Sequence, residues 1–389
     1  MEEEIELYRS LAVERFRNGE SPGTICASLG KSRTWLYKWI RRYREDDDSW
    51  NKSRSRCPHS SQHRTPFEVE EIVKMIRLSL YNQGLFCGAQ AILWEMEDLA
   101  VKPLPSIRTI NRILSRNELT HRRTGKYKAK GTAYPGLPSV FPNQTHQADL
   151  VGPCYLKGPI RFYSLNVIDT ATVRCGLYPS LQKSGQAILG GFWTIWKRMG
   201  IPNHIQVDNA MSFFGSPTHP RGMGPLIRLC LHNNVEPWFI PMAEPWRNGM
   251  IESFNQRYQQ MFLAKQTMLS SGDLETGSLT FEQRHNSRYR YSKIGGKTPL
   301  KALASSTVRL RFPEAVDPPR SRMKKPVTGK YHLVRLIRSD GQINIFGELF
   351  RVPPELVYEY VVATIDVKDQ KLRLFQGKFQ VEEYGYKLR

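Results

Sequence analysis

The sequence predicts a multidomain protein: all-α helix-turn-helix units at the N-terminus, a central α/β domain on a mixed sheet, and a small β-barrel at the C-terminus. Three observations carry that expectation. Apolar residues recur at helical spacing through roughly residue 120, strand-like and helical runs alternate from 141, and short β-type runs separated by Gly-containing turns fill the chain from 330. A chain of 389 residues also exceeds what a single core usually holds.

Residues 1–48 read as a helix-turn-helix domain. ELYRSLAVERFRNG has helical spacing, SPGTICASLG carries the Gly of a helix-ending turn, and Ser32 can N-cap the basic run SRTWLYKWIRRYRED. Arg33, Thr34 and Lys38 then face bases or phosphates in a DNA major groove, and Arg41 and Arg42 add backbone contacts. An ordinary helical hairpin with a solvated basic face is the plainer alternative. Residues 49–64 are a polar linker. Residues 65–120 repeat the plan as a second helix-turn-helix-like domain, with Ser106 as N-cap of SIRTINRILSRNEL. This second unit either lengthens the DNA site or packs against the central domain. Residues 121–140 form a basic linker in which Arg122, Arg123, Lys126, Lys128 and Lys130 appear with no acid among them, a phosphate-seeking arm.

Between 141 and 270 the sequence reads as three strands in succession (THQADLVGPCYL, RFYSLNVIDTAT, VRCGLYPSL), then alternating helices and strands, ending in one long helix MIESFNQRYQQMFLAKQ. Phe192, Trp193 and Trp196 share a helical stripe and belong to the core. Residues 271–329 are a helical extension and basic linker: turn-rich SSGDLETGS, a helix over FEQRHNSRYRY, then PPRSRMKKPVTG. Residues 330–389 alternate in short β-type pieces and are expected to close as the small barrel.

Charge narrows the partner. With 57 Lys+Arg against 36 Asp+Glu the chain carries a formal +21, far more than solubility needs, which fits a polyanion. No run of about 18 apolar residues occurs, and the first residues, MEEEIELYRS, are acidic rather than signal-like, so the expectation is a soluble protein that is not exported and has no membrane partner. The six cysteines never form a CxxC, so neither a disulfide framework nor a ribbon-type zinc site is indicated. Cys57, His59 and His63 make half a zinc site with no second pair, and a loop is the simpler reading.

Against this basic background three acids stand in distinctive settings: Asp149 in NQTHQADLVG, Asp208 in HIQVDNAMSFF and Glu252 in EPWRNGMIESFNQRY. Two end β-prone runs and the third sits on a helix, so all three can converge. Carboxylate oxygens suit Mg²⁺, and two such ions can activate an attacking oxygen and stabilise a leaving one at phosphorus. Singly, each acid is better explained as a turn, cap or surface residue; the order and context of all three favour the site. Asp169 also ends a strand, but the Asp-Thr there is turn chemistry and lies outside it.

The arrangement resembles the transposases of bacterial insertion sequences that share the retroviral integrase catalytic core, a fold of RNase H type. The resemblance is best over residues 141–300. It rests on Asp149 in a first strand, Asp208 followed by Asn209 after a fourth, and Glu252 on a helix after PWRNGMI and within ESFN. His146 stands where the family has Trp, Ala210 and Ser212 where it has Gly and an acid, and GSPTHPRGMG lengthens the interval between the second Asp and the Glu. Gln259 replaces a basic residue of the family, leaving Arg257 or Lys265 to supply that phosphate contact.

The resemblance implies a D,D,E polynucleotidyl transferase, with Asp149, Asp208 and Glu252 both catalytic and metal-binding. Its cofactor would be two Mg²⁺ per site, replaceable by Mn²⁺. It would bind the ends of a mobile element in double-stranded DNA, cleave there, and transfer the freed 3′-hydroxyl into target DNA. It also implies a homo-oligomer assembled on DNA in a bacterial cytoplasm, associated with the nucleoid, and for some relatives with a similar rear barrel a helper ATPase. The alternatives are a metal-dependent nuclease without strand transfer and a domesticated, non-catalytic DNA-binding protein.

Overall fold

The structure is a computed structural model that describes residues 2–45, 49–53, 65–120, 133–215 and 221–389. Cys57, His59, His63, Arg122, Arg123, Lys126, Lys128 and Lys130 lie outside the described residues. The chain divides into two compact units, Met1–Thr65 and Pro66–Arg389.

The first unit holds α1 (Glu2–Arg17), α2 (Pro22–Leu29) and α3 (Arg33–Arg44). Ser21 caps α2 and Ser32 caps α3, accepting from the backbone N–H of Thr24 and Trp35, both at 3.2 Å. Gly30 ends α2 at φ +60°, the left-handed conformation that favours glycine and turns the chain into α3. Leu36, Trp39 and Ile40 of α3 are buried against Ala12 and Val13 of α1 and Ile25 and Cys26 of α2. The N-terminal unit is therefore helical, with a tight turn before a basic helix.

The second unit opens with α4 (Phe67–Asn82), α5 (Ala89–Asp98) and α6 (Ile107–Arg116), capped by Ser106. Next come β1 (Thr145–Tyr155), β2 (Arg161–Asp169), β3 (Cys175–Ser180), α7 (Gly185–Met199), β4 (His204–Val207), α8 (Met211–Phe214), α9 (Pro225–His232), β5 (Glu236–Phe239) and α10 (Gly249–Tyr258). It ends with α11 (Ser271–Arg288), α12 (Pro299–Ala304), β6 (Lys330–Leu336), β7 (Gln342–Ile345), β8 (Glu348–Arg351), β9 (Tyr360–Asp366), β10 (Lys371–Gln376) and β11 (Phe379–Gly385).

Nine strands form one mixed sheet in the order β3-β2-β1-β4-β5-β6-β9-β10-β11. β1, β2 and β3 pair antiparallel, while β4, β5 and β6 continue from β1 in parallel. Helices cover both faces of the β1–β5 region. On one side α7 and α9 bring Phe192, Trp196, Leu226 and Ile227 onto the sheet, and Phe192, Trp193 and Trp196 are core, as their spacing predicts. α7 sits close because Gly191 has no Cβ; one would stand 2.8 Å from Tyr178 and 2.9 Å from Leu165. On the other side α10 and α11 supply Ile251, Phe254, Tyr258 and Phe281.

The expected small barrel is not what residues 330–389 build. β6 pairs parallel with β5 at Trp238↔His332 and Phe239↔Leu333, and β9, β10 and β11 follow as an antiparallel extension of the central sheet. The physical reason is burial. Every residue of β9 is buried and so are five of the seven in β6, on both faces, which suits interior strands of a covered sheet rather than a small barrel wall with one face in water. Tyr331, Leu333, Ala363 and Leu374 accordingly share one core with Phe192 and Trp196.

Two helix expectations also change. α10 stops at Tyr258 and passes into a single π turn over Gln259–Leu263 instead of running on as one α-helix. That turn keeps Phe262 stacked on Tyr258, their ring centroids 5.4 Å apart. The stretch read as turns, SSGDLETGS, starts α11: Ser270 and Asp273 form a reciprocal capping box. The second helical unit packs on the end of this extension. Tyr289 is buried among Val73, Leu80 and Ile92, and Arg290 pairs with Asp98 at 2.7 Å.

Edge strand β3 is closed by side chains of α11. Asn286 accepts from the Cys175 N–H and donates to its carbonyl, while Glu282 accepts from the Leu177 N–H and pairs with Arg198 at 2.9 Å. Glu282→Ala leaves the buried Leu177 N–H without its acceptor and the Arg198 guanidinium with the Leu177 carbonyl alone, so urea unfolding should show a loss of about 3 kcal/mol. A loss under about 1 kcal/mol would mean that water replaces the carboxylate.

Candidate active site

Strand register brings the first two acids together. β1 and β4 run parallel with Gln147 beside Gln206, so Asp149 and Asp208, each two residues further on, stand on the same side of neighbouring strands. That is the side α10 covers. Gln147 Oε1 accepts from the backbone N–H of Met250 and of Ile251, both at 3.1 Å, filling donors that a helix N-terminus otherwise leaves open. Gln206 donates to the Arg247 carbonyl at 2.9 Å, and Asn248 donates to the Ala148 carbonyl at 3.1 Å.

Glu252 lies in the first turn of the helix so anchored. Asn255, three residues on and therefore on the same helix face, donates to Asp149 Oδ2 at 2.7 Å. The third acid is thus turned to the side where the first two meet.

The electrostatics follow from this crowding. Burial raises the Asp149 carboxyl above its ordinary range, the Asp208 charge and then that of Glu252 push the same way, and the Leu150 N–H and Asn255 oppose them. Burial likewise raises Asp208, against a hydrogen bond from the Ala210 N–H at 3.0 Å. Among the described residues none of the three acids forms a salt bridge, although the chain has a large excess of cations. Part of the compensation comes from the positive end of the α10 dipole.

This donor set fits a hard divalent cation: oxygen only, negative, half-buried and without a counter-charge. It is an open set. Among the described residues no group of three or more His, Cys, Asp or Glu stands close enough together to hold a metal ion as the side chains lie here.

Sequence reasoning missed the amides that hold the acids. Ser164 donates to Asn166 at 2.7 Å, Asn166 to Asn255 at 2.8 Å, and Asn255 to Asp149, a buried relay across β2, α10 and β1. Polar residues inside the apolar run RFYSLNVID were the available signal. Arg335 was also missed: it comes from β6 and donates to Asn209 Oδ1 at 3.0 Å, beside Asp208.

The remaining expected residues are dispersed. Asp169 is fully buried and accepts from the N–H groups of Asn143, Ala171 and Thr172, which is turn chemistry, as expected. His146 is buried too, and burial holds it down to about 3, hence neutral. Arg33, Thr34, Lys38 and Arg41 are exposed on α3, whereas Arg42 folds back over the Trp39 ring at 4.7 Å. Arg257 is held between Phe86 and Tyr291, each ring 5.3 Å away, and donates to the Tyr291 hydroxyl. Lys265 is exposed above Tyr81. Arg122, Arg123 and Lys126 fall outside the described residues.

Two protein families match the sequence. Residues 6–49 match a homeodomain-like domain, and residues 233–299, which include Glu252, match an integrase core domain. Among solved structures the chain is similar to the HTLV-2 integrase catalytic core domain in complex with magnesium, at 16% identity over 43% of this chain and 99% of that one, TM-score 0.33. It is also similar to a chain of a simian T-cell lymphotropic virus intasome, at 12% identity over 82% and 97%, TM-score 0.37. The catalytic core domain of BIV integrase matches at 14% identity over 42% and 94%, TM-score 0.33. Among the described residues no helix is long and apolar enough to cross a membrane.

Asp149 gives a test of the electrostatics. Because its folded-state pKa is raised, the native protein binds a proton more tightly than the unfolded chain, so this group's contribution to stability falls as pH climbs through that value. In metal-free protein Asp149→Asn should unfold at higher urea than wild type at about pH 8, with the gap closing as pH drops toward about 4. Excess Mg²⁺ should stabilise wild type and not the variant. A variant less stable than wild type in metal-free buffer at high pH contradicts the assigned crowding.

Proposed function

We propose that this chain, with a homeodomain-like domain in front and an integrase core domain behind it, is a DNA transposase that cuts at the ends of a mobile element and joins them to target DNA. The observation that carries the reading is that Asp149 within β1, Asp208 just past β4 and Glu252 in the first turn of α10 lie close enough for the charges of Asp208 and Glu252 to act on Asp149, with no salt-bridge partner among the described residues. Two Mg²⁺ ions bound there would supply activation of the attacking oxygen and stabilisation of the leaving one.

The residues divide the work. Asp149, Asp208 and Glu252 would hold the ions, and Asn255 fixes the rotamer of Asp149. In the first reaction a water oxygen bonds to phosphorus at the element's end and the 3′-oxygen leaves with a proton. In the second, the oxygen of that 3′-hydroxyl gives up its proton and bonds to a target phosphorus, and a target 3′-oxygen leaves and takes up a proton. Both are in-line displacements, so one geometry serves for both. The exposed α3 face, with Arg33, Thr34, Lys38 and Arg41, reads the terminal DNA in the major groove, with Arg42 beside it. Arg122, Arg123, Lys126 and Lys265 engage phosphates. Arg257, already engaged by Tyr291 and Phe86, serves better as a brace than as a phosphate contact.

Two ends must be joined, which favours a homo-oligomer assembled on DNA. The analogy that suggested a helper ATPase rested on a rear barrel, and the built-in tail removes that ground.

Asp208→Asn should abolish joining of end-bearing DNA to a supercoiled target while end binding stays within about twofold, since the charge lost is in the metal site. Nicking without joining by wild type would make the protein a nuclease, and full joining by the variant would move the site elsewhere. Arg33→Ala should reduce discrimination between terminal and random DNA by about 1–3 kcal/mol in competition binding. An equal loss on both DNAs would make it a phosphate contact instead.

A further inference from the structure

We infer that Arg335, from the C-terminal strand β6, is a positioning residue for Asp208, acting through Asn209; the inference rests on the active site proposed above. Arg335 is only 7% exposed. Its guanidinium donates to four acceptors: Asn209 Oδ1 at 3.0 Å, the Ile240 carbonyl at 3.2 Å, the Asn344 carbonyl at 3.2 Å and the Val334 carbonyl at 2.9 Å. All are neutral. Among the described residues it has no carboxylate partner, and burial pushes it down to about 10, so it remains charged at neutral pH.

A buried cation answered only by neutral oxygens is costly, and an apolar residue would fill the same space at less cost. What an apolar residue could not do is tie three segments at once: the end of β5 at Ile240, the β7 strand at Asn344, and Asn209 after β4. Asn209 is held at both ends, because its Nδ2 also donates to the Ile240 carbonyl. The next residue, Ala210, donates its N–H to Asp208 Oδ1. Asp208 is therefore followed by a side chain locked to the tail and a backbone turn that fixes its own carboxylate. Without the guanidinium, Asn209 Oδ1 loses its donor, the turn loosens, and the Asp208 carboxylate loses its set direction toward Asp149. The tail thus sets the direction of the Asp208 carboxylate from behind the site.

The test uses full-length protein, DNA carrying the element's ends, a supercoiled target and a Mg²⁺ titration, on Arg335→Gln, Asn209→Ala, the double variant and Asp208→Asn. Each of the first two should slow joining about tenfold or more and raise the Mg²⁺ needed for half-maximal joining, with end binding within about twofold. The double variant should fall no further than the worse single, since both remove one link. Additive losses, or a wild-type Mg²⁺ dependence in Asn209→Ala, overturn the inference. If Arg335→Gln fails to fold, Asn209→Ala decides alone, because it leaves the buried guanidinium its three backbone acceptors. Joining by Asp208→Asn at the wild-type rate would instead refute the site itself, whereas a dead Asp208→Asn beside an unaltered Asn209→Ala refutes only the role of Arg335.

Discussion

The docking of α10 on β1 and β4 through side-chain amides is the constraint on which the rest of the site depends. Gln147, Gln206, Asn248 and Asn255 each bridge a strand and the start of α10 or the turn before it, and together they fix the first turn of α10, which carries Glu252, against β1 and β4. Each bond contributes about 1 kcal/mol net, but a buried amide left unmet costs about 1–3 kcal/mol, so misplacing the helix is penalised several times over. Apolar packing by Ile251, Phe254 and Tyr258 supplies the attraction; the amides supply the register.

That rigidity makes an unfavourable charge arrangement tolerable. Burial raises the proton affinity of Asp149 and Asp208, the charges of Asp208 and Glu252 raise that of Asp149 further, and among the described residues the fold offers an amide, two backbone N–H groups and a helix terminus rather than a lysine or arginine. A cationic side chain would satisfy the acids and close the site. Amides leave the charge available to a divalent ion and substrate phosphates. The basic excess of the chain is spent elsewhere: on the exposed face of α3, on interior braces such as Arg335 and Arg257, and along the linkers.

How much of this is legible in the sequence depends on the range of the interaction. Ser32, Ser106 and Gly30 announce caps and turns because the chemistry is local, and the acids stand out because all three occur in order, two after β-prone runs and one on a helical run. The capping box of Ser270 and Asp273 is local too, but Gly272 and Gly277 disguised it as a turn. The tail misled for another reason. Short strands with tight turns describe a barrel and an antiparallel sheet extension equally well, and only the partner of β6, nearly a hundred residues away in β5, distinguishes them. The same distance hides Arg335, whose acceptors Asn209 and Ile240 belong to other strands.

The most direct test of a carboxylate site that takes two ions is to locate Mn²⁺ by anomalous scattering in crystals of the protein bound to end DNA. Two peaks about 3.5–4 Å apart, with Asp149 between them and Asp208 and Glu252 each touching one, are what the arrangement predicts. Peaks elsewhere, or none among these three carboxylates in crystals otherwise competent for joining, would contradict it.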